Sequence, residues 1–227
     1  MSPQAARPTS PPSRRRAAPA IPPIRLPPPR LGREAPLLDA LRARRTTREI
    51  GERPLTPQLL SNLLWAACGV NRRRGPFGFA GLTAASASDS QEIDVYVALA
   101  SGAYRFEPRR HRLVPVIARD LRALAIGRGQ RALVTDAPVQ LVYVADVHKL
   151  THTAGFREPG LLDPAVQRSY YYVDTGLIAG NVYLYAAAAG LACWFHNCDR
   201  AALRRALGLG AEQRVLFAQT VGHPIRT

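Results

Sequence analysis

Three arginines and two hydroxyls fall within five residues in "RRTTREI" (44–50). Arg44, Arg45 and Arg48 bring guanidinium forks, and Thr46 and Thr47 bring short hydroxyl donors. That set suits a phosphate dianion, which takes paired N–H donors and short O–H donors on one turn. It equally suits a solvated basic helix end, where cations offset the helix dipole. Three further segments offer donors. "TAASASDSQEIDVYV" (83–97) is a small-residue loop entering a strand, so its backbone can approach a flat ligand closely, or it is an ordinary polar loop. "GLACWFHNCD" (190–199) is a strand whose end presents backbone donors before a capped helix, or a plain core strand. "QTVGHPIRT" (219–227) carries Arg226, a second phosphate partner or part of a frayed basic terminus.

Other chemistries find no support. Cys68, Cys193 and Cys198 form no CxxC pair, which argues against a disulfide scaffold or a structural zinc. His148 and His152 are spaced i, i+4 but have no carboxylate at a ligand spacing, so no metal is assigned. His196 and Cys198 share a face if the strand persists, yet lack the acid partner a Cys–His nucleophile needs.

The elements that must position these groups are legible from pattern. The chain has 227 residues, 47% of them hydrophobic, enough for one sizeable domain or two small ones. Residues 1–35 read as a disordered Pro/Arg arm, and 36–227 as the folded domain. The arm has no interleaved aromatics for base stacking, which argues against nucleic acid as a partner. The formal charge of +15 comes from 31 basic and 16 acidic residues, and Lys149 is the single lysine.

In "APLLDALRARR" Leu37, Leu38 and Leu41 share a helical face. Thr56 caps and Pro57 opens a second helix with Leu59, Leu60, Leu63, Leu64 and Ala67 at helical spacing. Residues 70–84 read as a Gly-rich loop, 92–100 as a strand and 103–116 as a hairpin turning near Pro108–His111. A short helix over 119–127, a buried strand over 139–146 and a loop or lid over 147–163 follow. A helix then runs from Asp163 to Gly190, "LACWFH" is a strand, Asp199 caps another helix, and 214–222 is the last strand. The pattern predicts an α+β layered domain.

Residues 175–198 contain no Asp, Glu, Lys or Arg, long enough to span a bilayer. Gly176, Gly180, Asn181, Gly190, His196 and Asn197 interrupt the run, so it reads as a core helix followed by a strand. With no signal-like apolar segment at the N-terminus, a cytoplasmic protein without membrane contact is expected.

Seven phrases occur in an order that resembles the FMN-dependent nitroreductase family, in the branch near the azoline oxidases of peptide-toxin synthesis. They are "LLDALRARRTTREI", "PLTPQLLSNLLWAACGVNR", "TAASASDSQEIDVYVA", "GAYRFEPRRHRLVPV", "APVQLVYVAD", "VDTGLIAGNVYLYAAAAGLA" and "QRVLFAQTVGHP", covering roughly 37–224. The resemblance implies a three-layer sheet flanked by helices, in an intertwined homodimer with FMN at the subunit interface. It implies cofactor contacts from Arg44, Arg45, Thr46 and Arg48 to phosphate and ribityl. Ser86, Asp89 and Gln91 would lie beside the ring. A backbone N–H at His196 or Asn197 would lie near flavin N5, and Arg226 would help to hold the phosphate.

The implied activity passes hydride from NAD(P)H through FMN to a small planar acceptor such as a nitroaromatic or quinone. The alternatives are an azoline dehydrogenase of peptide modification and a non-catalytic flavin-binding or interaction homologue. The chemistry resides mainly in the cofactor, so no catalytic acid or base is assigned. Several positions depart from the family pattern around the flavin: Asp89 for Asn, Gly180 for Gln, Asn197 for Gly, Leu82 for Arg and Ala85 for Pro.

Overall fold

β7 (Val139–Asp146), the most continuously apolar strand, is buried on both faces inside the sheet, as that composition demands. It pairs antiparallel with β4 (Ile93–Leu99) on one side and β9 (Gln213–Gly222) on the other. β5 (Gly102–Glu107) and β6 (Arg112–Ile117) extend the sheet beyond β4, and β1 (Ile24–Arg25) closes that edge. β8 (Ala192–His196) closes the opposite edge, giving the order β1-β6-β5-β4-β7-β9-β8, antiparallel throughout. These positions come from a computed structural model that describes residues 21–32, 34–75, 78–130, 137–153 and 159–225.

Helices cover both faces because successive strand residues point to opposite sides and both sides are apolar. On one face α2 (Pro57–Cys68) and α5 (Pro164–Ala188) pack Leu63, Leu64 and Val182 against Val95, Leu141 and Tyr143. On the other, α3 (Arg122–Ala125) and α6 (Arg200–Leu207) pack Ala125, Leu203 and Leu207 against Tyr96, Val142 and Val144. The result is the three-layer α+β arrangement expected from sequence. Local chemistry sets the helix starts. The Thr56 hydroxyl accepts from Leu59 N at 3.2 Å, Asp163 from Ala165 N at 2.8 Å, and Asp199 from Ala202 N at 3.1 Å.

Several boundaries differ from expectation. The stretch 70–84 contains a two-strand hairpin, β2 (Val70–Arg72) with β3 (Gly81–Leu82), in place of a plain loop. The expected loop over 147–163 opens with α4 (Val147–Thr151) and closes with a 3-10 turn at Pro159–Leu162; 154–158 lie outside the described residues. No helix among the described residues is long and apolar enough to cross a membrane.

The expected Pro/Arg arm needs a larger correction. Its residues 1–20 lie outside the described part, but residues 21–32, 34 and 35 are already held against the domain, ahead of the expected start at Pro36. Prolines lack N–H groups but keep their carbonyls, and α2 supplies the donors. Ser61 Oγ donates to Pro27 O at 2.5 Å and Gln58 Nε2 to Pro28 O at 3.0 Å. Asn62 closes a pair with Arg30, accepting from its N–H at 2.9 Å and donating to its carbonyl at 2.7 Å.

In α1 (Leu37–Ala43) the leucine stripe faces away from the chain's own core. Leu37 and Leu38 are each 64% exposed and Leu41 52%, while Ala40 is buried.

Candidate functional site

The arginine motif leaves α1 and runs as an extended strap along the free edge of β8. Thr47 N donates to Cys193 O at 3.0 Å. Gly51 N donates to His223 O at 2.8 Å, Ile225 N donates to Glu49 O at 3.1 Å, and Ile50 bridges to Pro224. Gly222 makes this approach possible: a Cβ there would sit 2.6 Å from Ile50 Cγ2. Three segments singled out from sequence, 44–50, 190–199 and 219–225, therefore converge. Arg226 lies outside the described residues, which end one position earlier.

Along the strap Arg44, Arg45, Thr46 and Arg48 are all exposed. Among the described residues none of the three arginines pairs with a carboxylate. Aromatic faces orient two of them: Arg44 lies over Tyr183 at 5.5 Å and Arg48 over Trp194 at 5.3 Å. Arg45 borders a cleft of about 210 Å³ lined by Thr47, Tyr183, Gly190, Cys193 and Pro224. Guanidiniums held in place without a carboxylate keep their capacity for an external anion.

Tyr183, on α5, ties the strap to the strand. Its hydroxyl lies 3.1 Å from Thr46 Oγ1 and accepts from Phe195 N at 2.9 Å. Sequence reasoning missed it; the available signal was a hydroxyl-bearing aromatic two residues after Asn181 in the uncharged C-terminal half of the helix. Asn181 Nδ2 donates to Thr83 O at 3.3 Å and anchors the entry to the small-residue loop.

The His196 side chain turns away from this edge. It is buried, with Nδ1 2.9 Å from Asn197 O and Nε2 2.7 Å from Thr220 Oγ1. Burial lowers its pKa, so the ring is neutral at physiological pH. A contact from 196–197 to a ligand would have to come from the backbone or from the exposed Asn197, whose Oδ1 accepts from Arg200 at 3.2 Å.

Ser86, Asp89 and Gln91 stand apart from the arginines, against a different part of α5. Their side chains brace the loop itself. Ser86 Oγ accepts from Gln91 N at 3.0 Å, and Gln91 Nε2 donates to Ala80 O at 2.8 Å and Asp89 Oδ1 at 3.0 Å. Asp89 Oδ2 is buried and has no donor among the described residues. Ala87 N donates to Asp174 Oδ2 of α5 at 2.8 Å. Asp174 and Tyr183 are nine positions apart, about 13 Å of helix rise. The anion-ready strap and the small-residue loop thus lie at the two ends of one helical segment.

Burial pushes the Cys68 and Cys193 thiols to about 12 and Cys198 to about 11, leaving no thiolate near neutrality. His148 and His152 stack at 4.0 Å, and no metal-binding cluster occurs among the described residues.

Comparison with known proteins adds independent findings. The model of the nitroreductase family matches residues 41–223. A nitroreductase homologue of Methanocaldococcus jannaschii is 32% identical over 163 residues, covering 70% of this chain and 76% of that protein. The crystal structure of a nitroreductase homologue from Ralstonia eutropha has 33% identity and a TM-score of 0.77, covering 92% of this chain and 95% of the other. The NADPH:FMN oxidoreductase of Vibrio harveyi, solved with NAD+, shares the fold with a TM-score of 0.58 at 22% identity, over 84% of this chain and 69% of that one.

Proposed function

The chain belongs to the nitroreductase family, and from that premise we propose that it is an FMN-dependent oxidoreductase using NAD(P)H to reduce a small planar acceptor. The observation that carries this reading is the strap of three exposed arginines, oriented by Tyr183 and Trp194 and paired with no carboxylate among the described residues.

The donor set fits the cofactor. Arg44, Arg45 and Arg48 match a phosphate in charge and fork geometry, with Thr46 as a hydroxyl partner fixed by Tyr183. The loop 86–91 presents backbone and small side chains toward a flat ring system, and a backbone N–H near Asn197 completes the set. A long ligand, anionic at one end and planar at the other, suits the separation along α5. The chemistry that FMN supplies when bound is two-electron transfer between a reduced nicotinamide and an acceptor such as a nitroaromatic or quinone. The protein binds, orients and supplies positive charge near the electron-rich end.

We read the exposed leucines as a dimer interface. Leu37, Leu38 and Leu41 of α1, with Val173 and Leu177 of α5, form apolar surface that a lone soluble chain rarely leaves open. An open groove lined by Leu31, Leu37, Trp65, Leu184 and Tyr185 adjoins α1. A second copy of this chain would cover both.

The test is turnover. Protein reconstituted with FMN should oxidise NADPH or NADH when given a nitroaromatic or a quinone, with flavin bleaching under anaerobic nicotinamide alone. Protein that holds FMN but is not bleached by either nicotinamide would contradict the proposal.

A further inference from the structure

Three non-glycine residues in the loop before β4 adopt left-handed backbone: Ser88 at φ 53°, Asp89 at 54° and Gln91 at 50°. Such a run persists only where its surroundings over-determine it. The bracing converges on two carboxyls from different elements. Glu92, at the loop's end, is fully buried, and Asp174 of α5 is 4% exposed. Ser90 Oγ donates to Glu92 Oε2 at 2.7 Å, and Ala87 N donates to Asp174 Oδ2 at 2.8 Å. The β7 strand adds only a backbone contact, Asp146 N donating to Glu92 O at 2.9 Å. The two carboxyls are close enough to act on one another: the Asp174 charge raises the Glu92 pKa. Among the described residues no Lys, Arg or His forms a salt bridge with either carboxyl.

Two buried carboxylates in contact without a cation do not both stay ionised. Among the described residues Glu92 Oε1 is buried and accepts from no donor, the arrangement expected of an oxygen that is itself an O–H donor. We propose that Glu92 and Asp174 form a clasp holding one proton, carried by Glu92 and donated to Asp174, and that these positioning residues lock the 86–91 loop against α5 in the shape that receives the flavin ring.

Burial first, and the Asp174 charge second, push the Glu92 pKa up to about 8, so the clasp is closed at neutral pH and opens in mild alkali. The loop then has two like charges at its root instead of a hydrogen bond. The flavin part of this inference rests on the proposed function; the clasp itself does not.

The experiment uses the full chain, with and without FMN. Infrared spectra of wild type should show a carboxylic acid C=O band at pH 7 that disappears above about pH 8 and is absent from Glu92→Gln. Hydrogen exchange of the flavin-free chain, corrected for base catalysis, should show loop protection falling over the same pH range in wild type and staying constant in Glu92→Gln. FMN affinity should fall by at least about ten-fold across that range in wild type and in Asp174→Ala at neutral pH, but little in Glu92→Gln. If loop protection tracks the acid band but FMN does not bind, the clasp stands and the cofactor reading fails. If FMN binds with an affinity indifferent to pH, Glu92→Gln and Asp174→Ala, and no acid band is found, the clasp fails and the cofactor reading stands.

Discussion

The hydroxyl of Tyr183 lies 3.1 Å from that of Thr46, although 137 residues separate them in sequence. The same oxygen accepts from Phe195 N. One side chain of α5 thereby joins the arginine strap to the edge of the sheet. This makes the position of the guanidiniums a property of the folded core rather than of a loose helix end.

Tyr183→Phe removes that oxygen and little else. It should leave the fold intact while leaving Phe195 N without its partner, at a cost of about 1–2 kcal/mol in stability. FMN affinity should fall as Thr46 and the strap lose their anchor. Denaturant unfolding and FMN titration measure the two effects; a variant equal to wild type in both would show that the strap is held by other contacts.

The Glu92 pKa also predicts a stability profile. Between pH 4.5 and about 8 the unfolded chain has released this proton and the folded chain retains it. Folding is therefore favoured most on the acid side, and stability declines as pH rises through that window, by at most about 1.4 kcal/mol per unit. Above about pH 8 the decline from this group ends. Urea midpoints should show the slope in wild type and a flatter line in Glu92→Gln. Equal slopes in the two proteins would place the proton elsewhere.

The exposed face of α1 predicts a self-association phenotype. Leu38→Asp, at a residue 64% exposed in the single chain, should cost that chain little. It should shift the protein from dimer to monomer in sedimentation velocity at micromolar concentration, because a charge buried across an apolar interface is strongly disfavoured. A variant that sediments like wild type would remove α1 from the interface.

Much of the fold was legible because its signals are local. Thr56–Pro57, Asp163–Pro164 and Asp199 announce helix starts through side chains that reach two or three residues ahead. The apolar runs of β4 and β7 announce buried strands. What a stripe packs against is not local, so Leu37, Leu38 and Leu41 were placed on one face without its outward direction being visible. The segment 24–30 was hidden by proline composition, since it is ordered by strand pairing with β6 and by donors that belong to Gln58, Ser61 and Asn62. Within the site, the arginine motif stood out through density of charge. Tyr183, Glu92 and Asp174 did not, because each looks ordinary in its own element and acquires its role from a partner 80 or more positions away or, for Glu92, from burial.

A strap that grips a flavin phosphate must discriminate FMN from a flavin without one, and equilibrium binding measures that discrimination. Flavin-stripped wild type and the Arg44→Ala/Arg48→Ala double variant would be titrated with FMN and with riboflavin, which lacks the phosphate, following flavin fluorescence and checking the fold by circular dichroism. Wild type should bind FMN tightly and riboflavin weakly, and the folded double variant should lose that preference, with FMN weakened by about a hundred-fold or more. An unchanged preference for FMN in the variant, or none in wild type, would contradict a phosphate grip by the strap.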